Sequence, residues 1–336
     1  MKMKLINIPI EPIEQRYSVQ WDAWFLNHFH LSFSDVVTVY GDKSSGKIEH
    51  GSFLDVLDTN EYKTEQAKQV IQLLRTFDDS YRLVLFFHDL WFTDILKIAY
   101  IREGMGFKNL RICGCLHAGS YDEYDFLNKT GMTPWAQFFE NALFGIVDQI
   151  YVATNFHKRL LLKKRMVNES HIKVTGFPIY MDTFAQPQIK KENIVVFPHR
   201  LDSEKQPELF DELAKRLDFT GWKFIKTMDV CKTKQDYYDL LAKSKIAVSF
   251  ALQETWGIAM QEAALCGAIP VCPHRLSYQE MYLKPFRYYN FEHAVEEVYQ
   301  FIRKGCGQDI MDAQITALDD AGKFAIPNII KNIETL

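Results

Sequence analysis

The chain has 336 residues, 47% of them apolar and 24% charged, and a net charge of −4. That length suits two domains of ordinary size rather than one core. The balance is that of a globular protein without a general basic coat for nucleic acid, although a local basic patch remains compatible with it. No apolar run is long enough to span a bilayer, and the N-terminal MKMKLINIP lacks the apolar core and cleavage site of a secretory signal, so a cytoplasmic location is expected. The six cysteines (Cys113, Cys115, Cys231, Cys266, Cys272, Cys306) include no C-x-x-C pair and no zinc-ligand spacing. They are expected to be small buried hydrophobes in a reducing compartment, with no metal site.

In chain order, the first half alternates strand-like and helix-like runs. Short apolar stretches at 5–9, 35–40, 82–87, 110–116 and 149–154 read as strands. Their near-continuous hydrophobicity suits a parallel sheet covered on both faces. Helical patterns separate them, for example at 64–76 and 133–147. Residues 182–192 are polar, contain Pro187 and read as a linker. A second set follows, with strands at 193–197, 223–227, 245–250 and 268–272 and helices at 206–217, 234–242, 257–266 and 292–304. The tail carries Pro327 and an apolar stripe, which predicts a helix that packs back on the first domain. The expected architecture is α/β, with two Rossmann-like doubly wound domains facing a cleft, 1–180 and 181–320, and a C-terminal helix at 321–336. In open α/β sheets ligands bind beyond the carboxyl ends of the strands, so motifs just after strands carry the most weight.

The most informative segment runs from Phe250 to Val271. Glu254 lies in a loop after a strand, Trp256-Gly257 opens a helix, Glu262 sits inside that helix, and Gly267 ends it before a Pro-Val strand. Carboxylates accept hydrogen bonds from sugar hydroxyls, and a helix N-terminus offers N–H groups to a diphosphate. A sugar nucleotide is therefore the expected ligand. Read blandly, the same residues are two solvated acids and an ordinary C-cap glycine.

With its E-x7-E spacing, this segment resembles the retaining GT-B glycosyltransferases of the family that includes sucrose synthase and bacterial phosphatidylinositol mannosyltransferases. The resemblance implies that Glu254 contacts the donor sugar, that Glu262 holds the nucleotide ribose, and that the backbone at Trp256, Gly257 and Ile258 lies against the diphosphate. The segment 195–205, with Arg200 and Lys205 after a strand, is similar to the family's G-R-L-x-x-x-K, with Pro198-His199 where glycine is usual. Two fixed cations there would stabilise the negative charge that grows on the departing diphosphate, without a metal. The implied co-substrate is a nucleotide sugar, by this resemblance a UDP-sugar, and no cofactor is expected.

Acceptor candidates lie in the first half. His117, just after a strand, is placed to face the sugar or the acceptor, with Asp122 and, less directly, Asp125 nearby; His88-Asp89 is a weaker parallel. Where the family often has a glycine-rich loop after the first strand, this chain has residues 9–21 with Arg16 and Ser18, which are candidates to touch acceptor or phosphate instead. Lys158, Arg159, Lys163, Lys164 and Arg165 form a basic cluster, either a solvated helix face or a patch for a polyanion such as DNA or an anionic membrane. Its lack of interleaved aromatics argues against single-strand binding. Residues 51–66 and 16–21 resemble glycosyltransferases of tailed phages, some of which glycosylate hydroxymethylated cytosines in their own DNA. That implies double-stranded DNA as acceptor and, for a phage protein, the host cytoplasm as location.

The implied reaction is sugar transfer with retention at the anomeric carbon: the acceptor hydroxyl attacks on the face the diphosphate leaves, and a leaving-group oxygen takes its proton. A paired-carboxylate glycosidase arrangement is not what Glu254 and Glu262 imply. Competing readings are a lipid or saccharide glycosyltransferase and a non-catalytic nucleotide-sugar sensor. A P-loop kinase is a further one, suggested by residues 41–47, but Ile48 occupies the Ser/Thr position.

Overall fold

The computed structural model describes residues 2–13, 16–42, 55–183 and 189–336. The chain divides into two compact units: Met1–Ala153 with His157–Thr175 and Ala325–Leu336, and Thr154–Phe156 with Gly176–Phe324. Most of the phosphate-loop-like segment and the start of the phage-like segment, residues 43–54, lie outside the described residues, as do residues 184–188 of the expected linker.

Unit 1 is built on six parallel strands, β1 (Met3–Ile8), β2 (Val36–Thr38), β3 (Arg82–Phe87), β4 (Leu110–Cys115), β5 (Gln149–Val152) and β6 (Ile172–Val174), in the order β2-β1-β3-β4-β5-β6. β3 is buried from Leu83 to Phe87 without alternation, as a strand covered on both faces requires. β4 approaches β3 so closely that a Cβ at Gly114 would meet the Phe87 carbonyl at 2.3 Å. Cys113 and Cys115, on either side of it, are fully buried and unpaired.

The stretch 16–21, which carries the acceptor candidates Arg16 and Ser18, leads into the helix Ser18–Ser32, which buries Trp21, Phe25 and Phe29 at helical spacing. Phe25 and Phe29 both touch Phe86 of β3. The C-terminal helix Ala325–Glu334 belongs to unit 1. Its Ile329, Ile330 and Ile333 are buried, and it packs on the helix Ser18–Ser32. Arg82 and Arg111 donate to the carbonyls of Glu334 and Leu336 at 3.3 and 3.2 Å, cations at the negative end of a helix dipole.

Unit 2 carries five parallel strands, β7 (Glu192–Phe197), β8 (Lys223–Lys226), β9 (Ser244–Val248), β10 (Ile269–Pro273) and β11 (Arg287–Tyr288), in the order β11-β10-β9-β7-β8. In both sheets the strand order reverses beside the first strand of the unit, between β1 and β3 and between β7 and β9. That reversal opens a crevice at the strands' carboxyl ends, the place where doubly wound folds bind ligands.

Three histidines are buried deep in these units. Burial pushes His88, His157 and His199 down to about 3, so each is neutral in the folded chain near pH 7. A buried neutral imidazole contributes stability that is lost as pH falls from the unfolded value, about 6.5, toward the folded one. Asp125 acts in the opposite sense: burial raises it to about 7, so its cost is relieved as pH falls. We therefore expect the wild type to lose about 2 kcal/mol relative to His157→Gln between pH 7 and pH 5. Urea unfolding at the two pH values checks this, and a pH-independent difference between the two proteins contradicts it.

Candidate functional site

In unit 2 the loops after β7 and β9 meet at the strand-order reversal. Lys205, in the loop after β7, donates from Nζ to the Gln253 carbonyl at 2.6 Å and pairs with Glu254 Oε2 at 3.3 Å. The other oxygen, Oε1, accepts the Gly257 N–H at 2.8 Å. Glu254 thus joins the cation to the start of the helix Ile258–Leu265. Burial alone would raise its carboxyl, but the charge of Lys205 and the Gly257 N–H hold it below the usual range. It is therefore ionised at neutral pH.

Gly257 has φ +69°, and a Cβ there would stand 3.1 Å from the Tyr278 ring, so the turn needs glycine. The helix it caps leaves its first N–H groups, at Ile258 and just beyond, without intrahelical acceptors. The Trp256 side chain is buried and stands edge-on to Phe177, so only its backbone is left to line the site. At the far end Gly267, at φ +82°, lets its own N–H and that of Ala268 reach the carbonyls of Ala264 and Ala263, which completes the helix stop.

Glu262 lies one turn further in and is buried. Tyr237 donates to its Oε2 at 2.8 Å and Tyr238 to its Oε1 at 3.1 Å. Both tyrosines come from the helix Lys234–Lys243, whose start is fixed by a capping box between Thr233 and Asp236. Burial raises the Glu262 carboxyl, and Lys234 and the two hydroxyls offset part of that. Each carboxylate oxygen has two lone pairs, so one tyrosine on each leaves room for two further donors. The tyrosines were not foreseen, because adjacent aromatics in a helix read as core.

Arg200 is 42% exposed and bonds Asp202 and Glu204 at 3.1 and 3.0 Å. These contacts engage two of a guanidinium's five donors. His199, beside it, was noted only as an odd residue in a glycine position; it is buried among Lys205, Glu254 and Arg200.

In unit 1, His117 follows β4. Its Nε2 lies 2.8 Å from the His88 carbonyl and its Nδ1 3.3 Å from the Tyr17 hydroxyl. A carbonyl only accepts, so Nε2 carries the proton and Nδ1 is the acceptor. Burial lowers its pKa, with Asp89 opposing. Lys63, which donates to the Trp91 carbonyl at 2.7 Å and lies 3.8 Å from Asp89, and Arg16 both add positive charge around His117.

Other acceptor candidates have structural partners. Ser18 is buried and its hydroxyl accepts the Ile13 N–H at 3.2 Å, so it holds a turn rather than reaching for a ligand. Asp122 is buried and accepts the Tyr124 N–H at 3.0 Å. The basic cluster also divides. Lys158 pairs with Glu169 at 2.9 Å, and Arg165 turns inward onto buried Glu140 at 2.6 Å, leaving Arg159, Lys163 and Lys164 exposed. Glu140 in turn accepts the Ser120 N–H and hydroxyl at 2.6 and 2.8 Å and the Trp91 indole N–H at 3.1 Å. The ion pair therefore anchors the loop that begins at His117. Among the described residues no group of three or more His, Cys, Asp or Glu is placed to hold a metal ion, and no helix is long and apolar enough to cross a membrane.

The chain superposes over its whole length on sucrose-phosphate synthase from Thermosynechococcus elongatus, covering 98% of that chain at 8% identity with a TM-score of 0.66. It matches a glycosyltransferase from Rickettsia africae at 12% identity, with 99% of this chain and 97% of that one covered and a TM-score of 0.64. For the catalytic domain of starch synthase IV from Arabidopsis thaliana, bound to ADP and acarbose, the figures are 11%, 100%, 98% and 0.63. The fold is GT-B.

Among curated proteins the chain is similar to a tRNA-queuosine alpha-mannosyltransferase from Drosophila melanogaster, 28% identical over 125 residues. That match spans 37% of this chain and about a third (32%) of the relative. No family model matches the chain.

Proposed function

We propose that the chain is a retaining glycosyltransferase that moves a sugar from a nucleoside diphosphate sugar to a hydroxyl carried by a nucleic acid. The observation that carries this reading is the contact between Lys205 and Glu254 at the strand-order reversal of unit 2, directly before a helix N-terminus. Lys205 and Arg200 stabilise the leaving diphosphate, the N–H groups at the start of the helix Ile258–Leu265 add to that, Glu254 contacts the donor sugar and Glu262 the ribose. In the reaction the bond from the anomeric carbon to the β-phosphate oxygen breaks. A bond to the acceptor oxygen forms on the same face, and the acceptor proton passes to the departing phosphate. The protein then supplies positioning and charge rather than a general base. The donor is a UDP-sugar in this reading, and no metal is required for the charge balance.

The acceptor reading rests on fewer residues. Hydroxymethylated cytosine in double-stranded DNA is the acceptor that the phage-like segments favour, with Arg16, His117 and the exposed Arg159 contributing from unit 1. The tRNA-queuosine relative supports a modified nucleoside as the acceptor class and favours RNA as the second reading. Incubating the protein with a panel of nucleotide sugars and with hydroxymethylcytosine DNA, unmodified DNA, tRNA or phospholipid tests the choice by product mass. Addition of one sugar to hydroxymethylcytosine DNA is expected. Addition to tRNA alone moves the acceptor to RNA, and addition to phospholipid alone, or to none, contradicts a nucleic-acid acceptor.

A further inference from the structure

His199 lies at the crevice of unit 2. It stands two residues beyond β7, at the strand-order reversal, directly before Arg200. Its imidazole is 4% exposed, packed edge-on against Phe197 with ring centroids 5.2 Å apart. Its Nε2 is buried and has no hydrogen-bond partner among the described residues. Leaving a buried polar nitrogen unsatisfied destabilises a fold, and such groups are rare in native structures. A bound ligand that supplies the missing partner accounts for it. The residues that surround it electrostatically are Lys205, Glu254 and Arg200, so that ligand is the one this site binds.

We infer that His199 is a donor-site residue whose Nε2–H donates a hydrogen bond to a non-bridging oxygen of the β-phosphate of the nucleoside diphosphate. This deepens the glycosyl-transfer reading and rests on it. The chemistry favours a phosphate oxygen as the partner. Burial, reinforced by Lys205, keeps the ring neutral, and a neutral imidazole has one N–H to offer. Phosphate oxygens only accept, so they match an N–H that nothing else uses. A neutral donor also adds direction without a third full positive charge beside Arg200 and Lys205. A glycine in this position offers no side-chain donor at all.

Calorimetric titration of the full chain with UDP, ADP, GDP and CDP, and with the matching monophosphates, tests the inference. The proteins are the wild type, His199→Leu, which fills the space without a donor, and His199→Gln, which restores an N–H. For the diphosphate that the wild type binds most tightly, His199→Leu is expected to weaken affinity by about 10-fold or more. His199→Gln should recover most of that loss, while the matching monophosphate binds all three proteins alike and thereby reports an intact fold. Equal weakening for mono- and diphosphate, no weakening, or a glutamine variant no better than leucine overturns the role of His199. A loss confined to the intact nucleotide sugar overturns it too, by moving the contact to the sugar. A wild type that binds none of the four diphosphates overturns the glycosyl-transfer reading itself.

Discussion

Lys205→Ala is expected to lower turnover by about 10²–10³-fold, the usual loss when one preorganised charge-stabilising donor is removed, with a smaller change in apparent donor affinity. Lys205 already has a partner in the free protein, the Glu254 carboxylate at 3.3 Å, and a carbonyl, Gln253, at 2.6 Å. Its attraction to an intact donor replaces interactions that it would otherwise keep. In the proposed transfer, charge accumulates on the diphosphate as the sugar departs and the attraction grows, so the effect is expected to fall on kcat more than on KM. The fold should survive. Glu254 keeps the Gly257 N–H at 2.8 Å, and its side chain retains 17% exposure, enough for water to reach the carboxylate. Steady-state kinetics with matched circular dichroism spectra check this, and a folded variant with near-normal turnover removes Lys205 from the chemistry.

The largest expected loss of stability comes from a residue that the sequence placed on the surface. Arg165→Ala leaves Glu140, which is 0% exposed, without its ion-pair partner. Breaking a buried pair from one side costs about 3–5 kcal/mol. The remaining donors to Glu140, the Ser120 N–H and hydroxyl and the Trp91 indole, are neutral and cannot balance the charge. Arg165 also donates to the Ser120 hydroxyl at 2.8 Å and lies over the Tyr121 ring at 5.5 Å, so the loop from His117 to Asp122 loosens with it. Arg165→Met combined with Glu140→Gln should be more stable than Arg165→Ala alone, because the pair is removed rather than broken. Denaturant unfolding of the three proteins measures the difference. A stability of Arg165→Ala within about 0.5 kcal/mol of the wild type is what a surface substitution gives, and it would place Arg165 back in the solvated cluster.

Much of the fold was legible because parallel strands write themselves as apolar runs. Residues 82–87 and 149–152, for example, are strands in both the reading and the structure. The two strands that went unread, β6 and β11, are three and two residues long, and each includes a basic residue that interrupts the apolar run. The helix Ser18–Ser32 was overlooked because residues 9–21 were read as standing in for a glycine-rich loop, with Arg16 and Ser18 as ligand contacts, while its Trp21-Phe25-Phe29 spacing marked a buried face. At the site, a motif fixed to a strand end could be located from sequence: Glu254 in the loop and Glu262 in the helix are where the spacing placed them. Pairings between distant segments could not. Arg165 and Glu140 are 25 positions apart and Tyr237 and Glu262 are also 25 apart, and nothing in either local pattern announces the partner. Surface charge is likewise poorly read from a run of basic residues, since the helix Asn155–Lys164 carries Arg159 outward while Arg165, just past its end, turns inward.

Retention at the anomeric carbon is where the account is most exposed. Proton NMR of the sugar product, formed with the donor and acceptor that the panel identifies, reads its anomeric configuration directly. The product is expected to have the same anomeric configuration as the nucleotide sugar. An inverted product would contradict it, since attack from the opposite face separates the acceptor proton from the leaving phosphate and calls for a protein base that Glu254, held ionised against Lys205, was not assigned to be.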